Sequence, residues 1–289
     1  MPESSAMDWT LPPADIVGGL ENSARRIETP CGDGAMVWRQ WGDGPPLVLL
    51  HGGFGSWTHW IRNAPVLART HTVIAADLPG LGDSADAPEP HTAEGLAAIL
   101  LDGLETMLPP SATLSIVGFS FGSVLGGHVA AALGERVLAF VGVGASALGL
   151  RRNAVEGLRL EAPGMTDAEV DAMHRRNLEI LMMADPANID ALALYLHRRN
   201  VARARVRSRR ISMSDSLARM LPRIQGRLMG IWGEHDVTAF GQIEPRRKLF
   251  EGIQPGCPFR VIPGAGHWVM YEAADSFNAA LAEMLASVE

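Results

Sequence analysis

Ile116-Val117-Gly118-Phe119-Ser120-Phe121-Gly122-Ser123 is the stretch on which the fold turns. Residues Ala112 to Val117 read as a short apolar strand, and Ser123-Val124-Leu125-Gly126-Gly127 as the small-residue start of a helix. A chain that passes from strand to helix at one residue holds that residue in strained backbone geometry. The positions two on either side must then be nearly free of side chain, which Gly118 and Gly122 supply. Such a turn lifts the Ser120 hydroxyl clear of the sheet and aims the following backbone N–H groups into the same space, where a nucleophile sits. The five-residue pattern carries little by itself, since ordinary Gly and Ser usage produces it by chance in roughly one chain of this length in ten. Its weight rests on the flanking strand and helix and on partners elsewhere.

Upstream, Arg25 to Glu28 and Ala35 to Trp41 read as two strands joined by a hairpin turn at Cys31-Gly32-Asp33-Gly34. Pro46-Leu47-Val48-Leu49-Leu50 is an uninterrupted apolar run, suited to a parallel strand buried on both faces, and it ends in His51-Gly52-Gly53-Phe54-Gly55-Ser56. A helix-like stretch around Trp60 to Ala68 leads to the strand Thr72 to Ala76, which delivers Asp77-Leu78-Pro79-Gly80-Leu81-Gly82-Asp83-Ser84. A helix over about Thr92 to Met107 precedes the Ser120 strand, and Val137 to Val143 follows as another strand. Strands alternating with helices predict right-handed βαβ units and a mostly parallel sheet flanked by helices, an α/β fold.

Downstream, no strand-like run occurs between Ser146 and Pro222. Helices are expected at Thr166 to Met183, opened by the capping box Thr166-Asp167-Ala168-Glu169, and from Ile189 to about Val206. A helical insertion between two strands is a lid or cap. Strands resume at Leu228 to Trp232 and Phe259 to Ile262, and a last helix is expected over Ala274 to Ala286. The expected organisation is a leader at 1–22, loosely packed or forming a short helix, a core at 23–145 and 222–289, and a helical cap at 146–221.

An unperturbed serine is a poor nucleophile and needs a base within hydrogen-bond reach. Loops at the carboxyl ends of parallel strands gather on one edge of the sheet, where ligands bind. Of these loops, Pro263-Gly264-Ala265-Gly266-His267-Trp268 presents His267, and Gly233-Glu234-His235-Asp236 presents Asp236, with Glu234 as the alternative acid. Ser120 would attack, His267 would take its proton and return it to the leaving group, and Asp236 would orient the imidazole.

His51-Gly52-Gly53, Asp77-x-Pro79-Gly80-x-Gly82-x-Ser84, Gly118-x-Ser120-x-Gly122, Gly233-x-x-Asp236 and Gly264-x-Gly266-His267 together resemble the α/β-hydrolase superfamily, in its order and over nearly the whole chain. The resemblance implies an oxyanion hole from the backbone N–H groups of Gly53 and Phe121, with Phe54 as an alternative first donor. Each donor is worth roughly 3 kcal/mol to the transition state. Within the superfamily, His267-Trp268 followed by Ser276-Phe277-Asn278 is similar to the meta-cleavage-product hydrolases, which split C–C bonds in vinylogous diketones. Those enzymes generally carry Asn and Met where Phe119 and Phe121 flank the serine here. Dehalogenases and epoxide hydrolases would need Asp as the nucleophile. The expected function is cleavage of a small ester through an acyl-serine, with no metal or organic cofactor. C–C hydrolysis is the enzymatic alternative, and non-catalytic ligand binding on the same fold is the alternative from another class.

Several residues have a plainer reading. His51 precedes the nucleophile and suits a structural role in the oxyanion loop, His128 one in the core, and His235 one beside Asp236. Phe54, Phe119 and Trp268 flank the reacting positions and could line an apolar pocket. Trp57, His59 and Trp60 suit packing at least as well as substrate contact, and the cap residues Met165, Met173, Met182 and Met183 suit packing, although methionine also fits an adaptable lid. Arg198, Arg199, Arg203, Arg205, Arg207, Arg209 and Arg210 fit a solvated face, and one turned inward could grip a substrate carboxylate.

Composition bounds the partners. Across 289 residues, 47% are hydrophobic, enough for a large core, and the net charge of -7 argues against nucleic acid as a partner. Cys31 and Cys257 lack metal-ligand spacing and need no disulfide, and no signal peptide or spanning segment is visible. The expectation is a cytoplasmic chain acting on a small molecule away from membranes, its oligomeric state open, a homodimer included.

Overall fold

The structure is a computed structural model in which residues 7–288 are described. The first six residues of the expected leader lie outside them. Eight strands form one sheet: β1 (Arg25–Cys31), β2 (Gly34–Trp41), β3 (Pro46–Leu50), β4 (Thr72–Ala76), β5 (Leu114–Phe119), β6 (Val137–Val143), β7 (Arg227–Gly233) and β8 (Phe259–Ile262). Their order is β1-β2-β4-β3-β5-β6-β7-β8. The pairs β1–β2 and β2–β4 are antiparallel, and every later pair is parallel.

The parallel strands are apolar at successive positions because helices cover both faces of the sheet. Val48, Ile74, Ile116, Phe140 and Leu228 pack on one face, under Leu96, Leu100 and Leu104 of helix Ala93–Met107, Val124 and Val129 of helix Phe121–Leu133, and Phe250. Their neighbours Leu49, Ala75, Val117, Val141 and Met229 turn to the other face. They meet Ile16, Val17 and Leu20 of helix Pro13–Ser23 and Phe277, Leu281 and Leu285 of helix Ala274–Leu285. The period of two along each strand thus divides the core into two layers. Cys31 and Cys257 are both buried, free thiols.

Between β6 and β7 the described chain forms no strand. Its main helices are Asp167–Leu181 and Ala191–Ala202, with shorter ones at Arg209–Ser212 and Ser216–Met220. The Thr166–Glu169 capping box is formed in both directions, and the Asp190 side chain caps Ala191–Ala202 by accepting from the Ala193 N–H at 2.7 Å. This insertion lies over the carboxyl ends of the strands. Met182 O accepts from the Trp268 N–H at 2.8 Å, and Ser56 Oγ donates to Asn200 Oδ1 at 2.8 Å.

Some expectations needed correction. The helix expected at Trp60 to Ala68 is a 3-10 turn, Trp57–Trp60, and a separate short helix, Ala64–Leu67, with Pro65 in its first turn. Strand β5 runs two residues beyond Val117, so the sheet reaches Ser120 directly. Helix Ile243–Ile253 was not anticipated, its apolar positions being sparse among Glu, Arg and Lys. No helix among the described residues is long and apolar enough to cross a membrane.

Candidate active site

Strand β5 ends at Phe119 and helix Phe121–Leu133 begins at once, with Ser120 between them at φ 49° and ψ -109°. A non-glycine residue there is strained by about 1–3 kcal/mol, which its surroundings must hold in place. They do so by close packing. A Cβ on Gly118 would lie 2.5 Å from the Ser123 Cα, and one on Gly122 would lie 2.4 Å from the carbonyl oxygens of both Leu50 and His51. Hydrogen bonds fix the turn further. The Ser120 N–H donates to Val143 O at 2.9 Å, and the Ser123 and Ser146 hydroxyls both donate to Ser120 O.

The loops after β7 and β8 bring the other two groups to this hydroxyl. His267 Nε2 lies 3.1 Å from Ser120 Oγ, and His267 Nδ1 lies 2.8 Å from Asp236 Oδ2. With a neutral imidazole protonated on Nδ1, Ser120 donates to Nε2 and Nδ1 donates to the carboxylate. Asp236 Oδ1 is also engaged, accepting from the Thr238 N–H at 2.9 Å and its hydroxyl at 2.7 Å. Burial would push the Asp236 carboxyl up, but the charge and hydrogen bond of His267 and the two Thr238 bonds outweigh it and hold the group below its ordinary value. Glu234, the alternative acid, is exposed and accepts from the Gly264 N–H at 2.9 Å, steadying the histidine loop. The chain of bonds can therefore take a proton from Ser120 Oγ and balance the resulting imidazolium with a buried carboxylate.

The loop after β3 faces the serine. His51 is wholly buried, donates from Nδ1 to Gly52 O at 2.7 Å and accepts at Nε2 from the Leu78 N–H at 2.9 Å. Both ring nitrogens are used on backbone, which is the structural role read from its position. Burial pushes its pKa down to about 4, against the pull of Asp77 and the Gly52 bond. Gly52 N–H in turn donates to His59 Nδ1 at 3.2 Å. By contrast, the Gly53 and Phe121 N–H groups have no backbone acceptor among the described residues. A Cβ on Gly53 would lie 2.3 Å from Ser208 Oγ and 3.8 Å from the Phe121 Cβ, so the insertion's Ser208 closes over the gap between them.

Asp77 anchors this loop. Its Oδ1 accepts from the Trp57 N–H at 2.7 Å, and its Oδ2 from the Arg39 guanidinium at 2.9 Å and the Asp83 N–H at 3.0 Å. The Asp77-to-Ser84 motif is thus scaffolding for the site.

The remaining expected residues are placed as follows. Phe119 and Trp268 are each 1% exposed. The Phe119 ring sits 4.9 Å from that of His267, and the Trp268 indole N–H donates to His59 O at 2.9 Å. Both therefore brace the histidine and its surroundings. Phe54 is 42% exposed, with φ 53°. His128 is half-buried and hydrogen-bonded to Ser216 Oγ at 2.8 Å, and His235 is exposed beside Glu234. Arg198 pairs with Asp167 and Asp171, Arg199 faces Glu21, Arg203 pairs with Asp83, and Arg205 with Asp86. Four of the seven arginines are thus engaged by carboxylates of this chain. Sequence reasoning missed Thr238, although Asp-x-Thr spacing suits a side-chain turn, and Ser208, for which no local signal exists.

A sequence model of the alpha/beta hydrolase family matches residues 47–280, most of the chain, including Ser120, Asp236 and His267. The chain belongs to that family. This alpha/beta hydrolase is 29% identical over 246 residues to the dihydrolipoyllysine-residue acetyltransferase component of the acetoin cleaving system of Pseudomonas putida, over 81% of this chain and 62% of that protein. The chain therefore spans under two thirds of that relative. It is 25% identical to a 2-hydroxy-6-oxo-6-phenylhexa-2,4-dienoate hydrolase of Burkholderia cepacia, over 85% of this chain and 89% of that one. Among solved structures, a carboxylesterase of Bacillus subtilis matches with a TM-score of 0.71 at 19% identity, covering 94% and 95% of the two chains. That last likeness speaks for the fold.

Proposed function

We propose that this alpha/beta hydrolase cleaves a small carboxylic ester through an acyl-serine intermediate. The observation that carries this reading is the bonded series Ser120 Oγ, His267 and Asp236, at 3.1 and 2.8 Å, on a strained turn. Ser120 Oγ attacks the ester carbonyl carbon as its proton passes to His267 Nε2. The carbonyl oxygen becomes an oxyanion held by the free Gly53 and Phe121 N–H groups, with each donor contributing about 3 kcal/mol. Collapse breaks the C–O bond to the alcohol, which leaves with the proton from Nε2. Water then attacks the acyl-serine, giving up its proton to Nε2, and collapse releases the acid and returns the proton to Ser120. Every proton is carried by the protein or by water, so the cycle closes without a metal or organic cofactor. Residues 146–221 act as a cap over this cycle, with Ser208 and the exposed Phe54 at its edge.

The Burkholderia cepacia relative supports a second reading, in which the same serine attacks a ketone of a dienoic diketo acid and a C–C bond breaks instead. Hydrolysis of p-nitrophenyl butyrate and of a vinylogous diketo acid, compared in wild type and Ser120→Ala, tests both. A burst with steady ester turnover, reduced at least about 10³-fold in the variant, is expected. Turnover of the diketo acid alone favours the second reading, and turnover unchanged in the variant overturns both.

A further inference from the structure

Behind Asp236, between the loop that follows β6 and helix Arg209–Ser212, lies a cavity of about 50 Å³ bordered by Ser146, Arg152, Ser212, Ser214 and Arg246. One water needs about 10–15 Å³, so there is room for a group of about three to five heavy atoms. Arg246 is 4% exposed; it donates from Nη1 to Gln242 O at 2.6 Å and from Nη2 to Arg151 O at 3.2 Å. Its Nε is buried with no partner. Arg152 is half-buried, and its guanidinium meets no carbonyl or carboxylate among the described residues. Asp236 is the carboxylate whose charge bears on both, yet its oxygens are already taken by His267 and Thr238. Arg209 adds a third positive charge beside Arg152.

The Arg246 guanidinium, buried with no contacting anion, is unfavourable as it stands. Water can satisfy the N–H groups, but it cannot balance the charge. A planar carboxylate or a phosphate group can do both, because its oxygens match the guanidinium fork. We propose that this cavity is a binding site for a small oxyanion, held by Arg152 and Arg246 immediately behind the residues that act on Ser120. The anion is either a free carboxylate or phosphate or an acid group on the substrate. The site is independent of the ester reading, since its occupation needs no turnover.

Thermal unfolding of the full chain would be followed against sodium acetate and sodium phosphate, with ionic strength held by a bulky sulfonate salt. The expected result is a saturable rise in Tm for wild type and for Arg176→Gln, an exposed control, that is lost in Arg152→Gln. Arg246→Gln should lose it too. Arg246 is buried and its replacement can weaken the fold, so the half-exposed Arg152 carries the test. No saturable rise in wild type, or an equal rise in Arg152→Gln, overturns the proposal. Kinetics then separate the sources of the anion. An approximately tenfold larger KM in Arg152→Gln for a p-nitrophenyl hemisuccinate relative to p-nitrophenyl butyrate assigns the anion to the substrate. Loss of the anion-dependent Tm rise with that KM ratio unaltered assigns it to a free anion.

Discussion

Gly122 shows how little room the nucleophile turn leaves. Its missing Cβ would strike the carbonyl oxygens of Leu50 and His51, 2.4 Å away, and those are backbone atoms of β3 and of the loop opposite Ser120. Gly122→Ala should therefore push β3 away from helix Phe121–Leu133, costing about 1–3 kcal/mol in a urea melt and lowering kcat more than it raises KM. A variant with wild-type kcat would show that the turn tolerates the shift. His51 supplies a pH test at the same scale. Its pKa falls from 6.5 unfolded to about 4 folded, so the unfolded chain binds the extra proton between those values. The stability His51 contributes is complete above pH 6.5 and is lost as pH falls toward 4, up to about 3 kcal/mol. His59 shifts in the same direction, whereas the lowered carboxyl of Asp236 loses its contribution only below 3.8. Urea midpoints should accordingly decline between pH 6.5 and 4. A flat profile there would contradict the buried, neutral His51.

At the scale of elements, legibility followed the source of each constraint. The strands β3, β4 and β6 were readable to the residue, because burial on both faces of a parallel sheet demands runs that are apolar almost throughout, and the edge strand β8 was readable as a short run leading into the glycine-rich loop of His267. Ser120, His267 and Asp236 were readable because each closely follows a strand at the same edge of the sheet. Helix Ile243–Ile253 was not, since its few apolar positions stand among Glu, Arg and Lys, and the split before Ala64–Leu67 was not, since an apolar stretch does not show where Pro65 restarts the helix. Ser208 and Arg152 were beyond reach for a different reason: what they do depends on where the insertion settles, and no local pattern encodes that. The start of helix Asp167–Leu181 was legible as a capping box, and it makes a prediction. Thr166 accepts from the Glu169 N–H, and the Glu169 carboxylate accepts from the Thr166 N–H at 2.8 Å. Thr166→Ala should cost about 1 kcal/mol, and amide exchange should quicken in the first turn of that helix before it does in β5. Uniform protection in both proteins would mean that the helix end is held by packing instead.

Across the whole molecule, one buried cation ties the sheet to what surrounds the site. Arg39 of β2 is 4% exposed and meets Asp77 at 2.9 Å, Glu21 of helix Pro13–Ser23 at 3.0 Å, and Asp83 in the loop after β4. Asp77 holds the Trp57 N–H next to the Gly52–Gly53 loop, while Asp83 and Glu21 receive Arg203 and Arg199 of the insertion. The two kinds of arginine should behave differently when removed. Arg39→Met leaves Asp77, itself 1% exposed, buried without its cation, and breaking such a pair costs about 3–5 kcal/mol. Arg203→Gln removes a half-exposed partner, worth under about 1 kcal/mol, since water and salt already screen that pair. The urea midpoint should thus fall sharply in Arg39→Met and hardly move in Arg203→Gln. The two variants should also diverge in kcat, because only the first frees the Asp77 carboxylate that fixes the loop opposite Ser120. If Arg203→Gln proved the more damaging, the insertion would be held by its surface pairs, and Arg39 would be one contact among many.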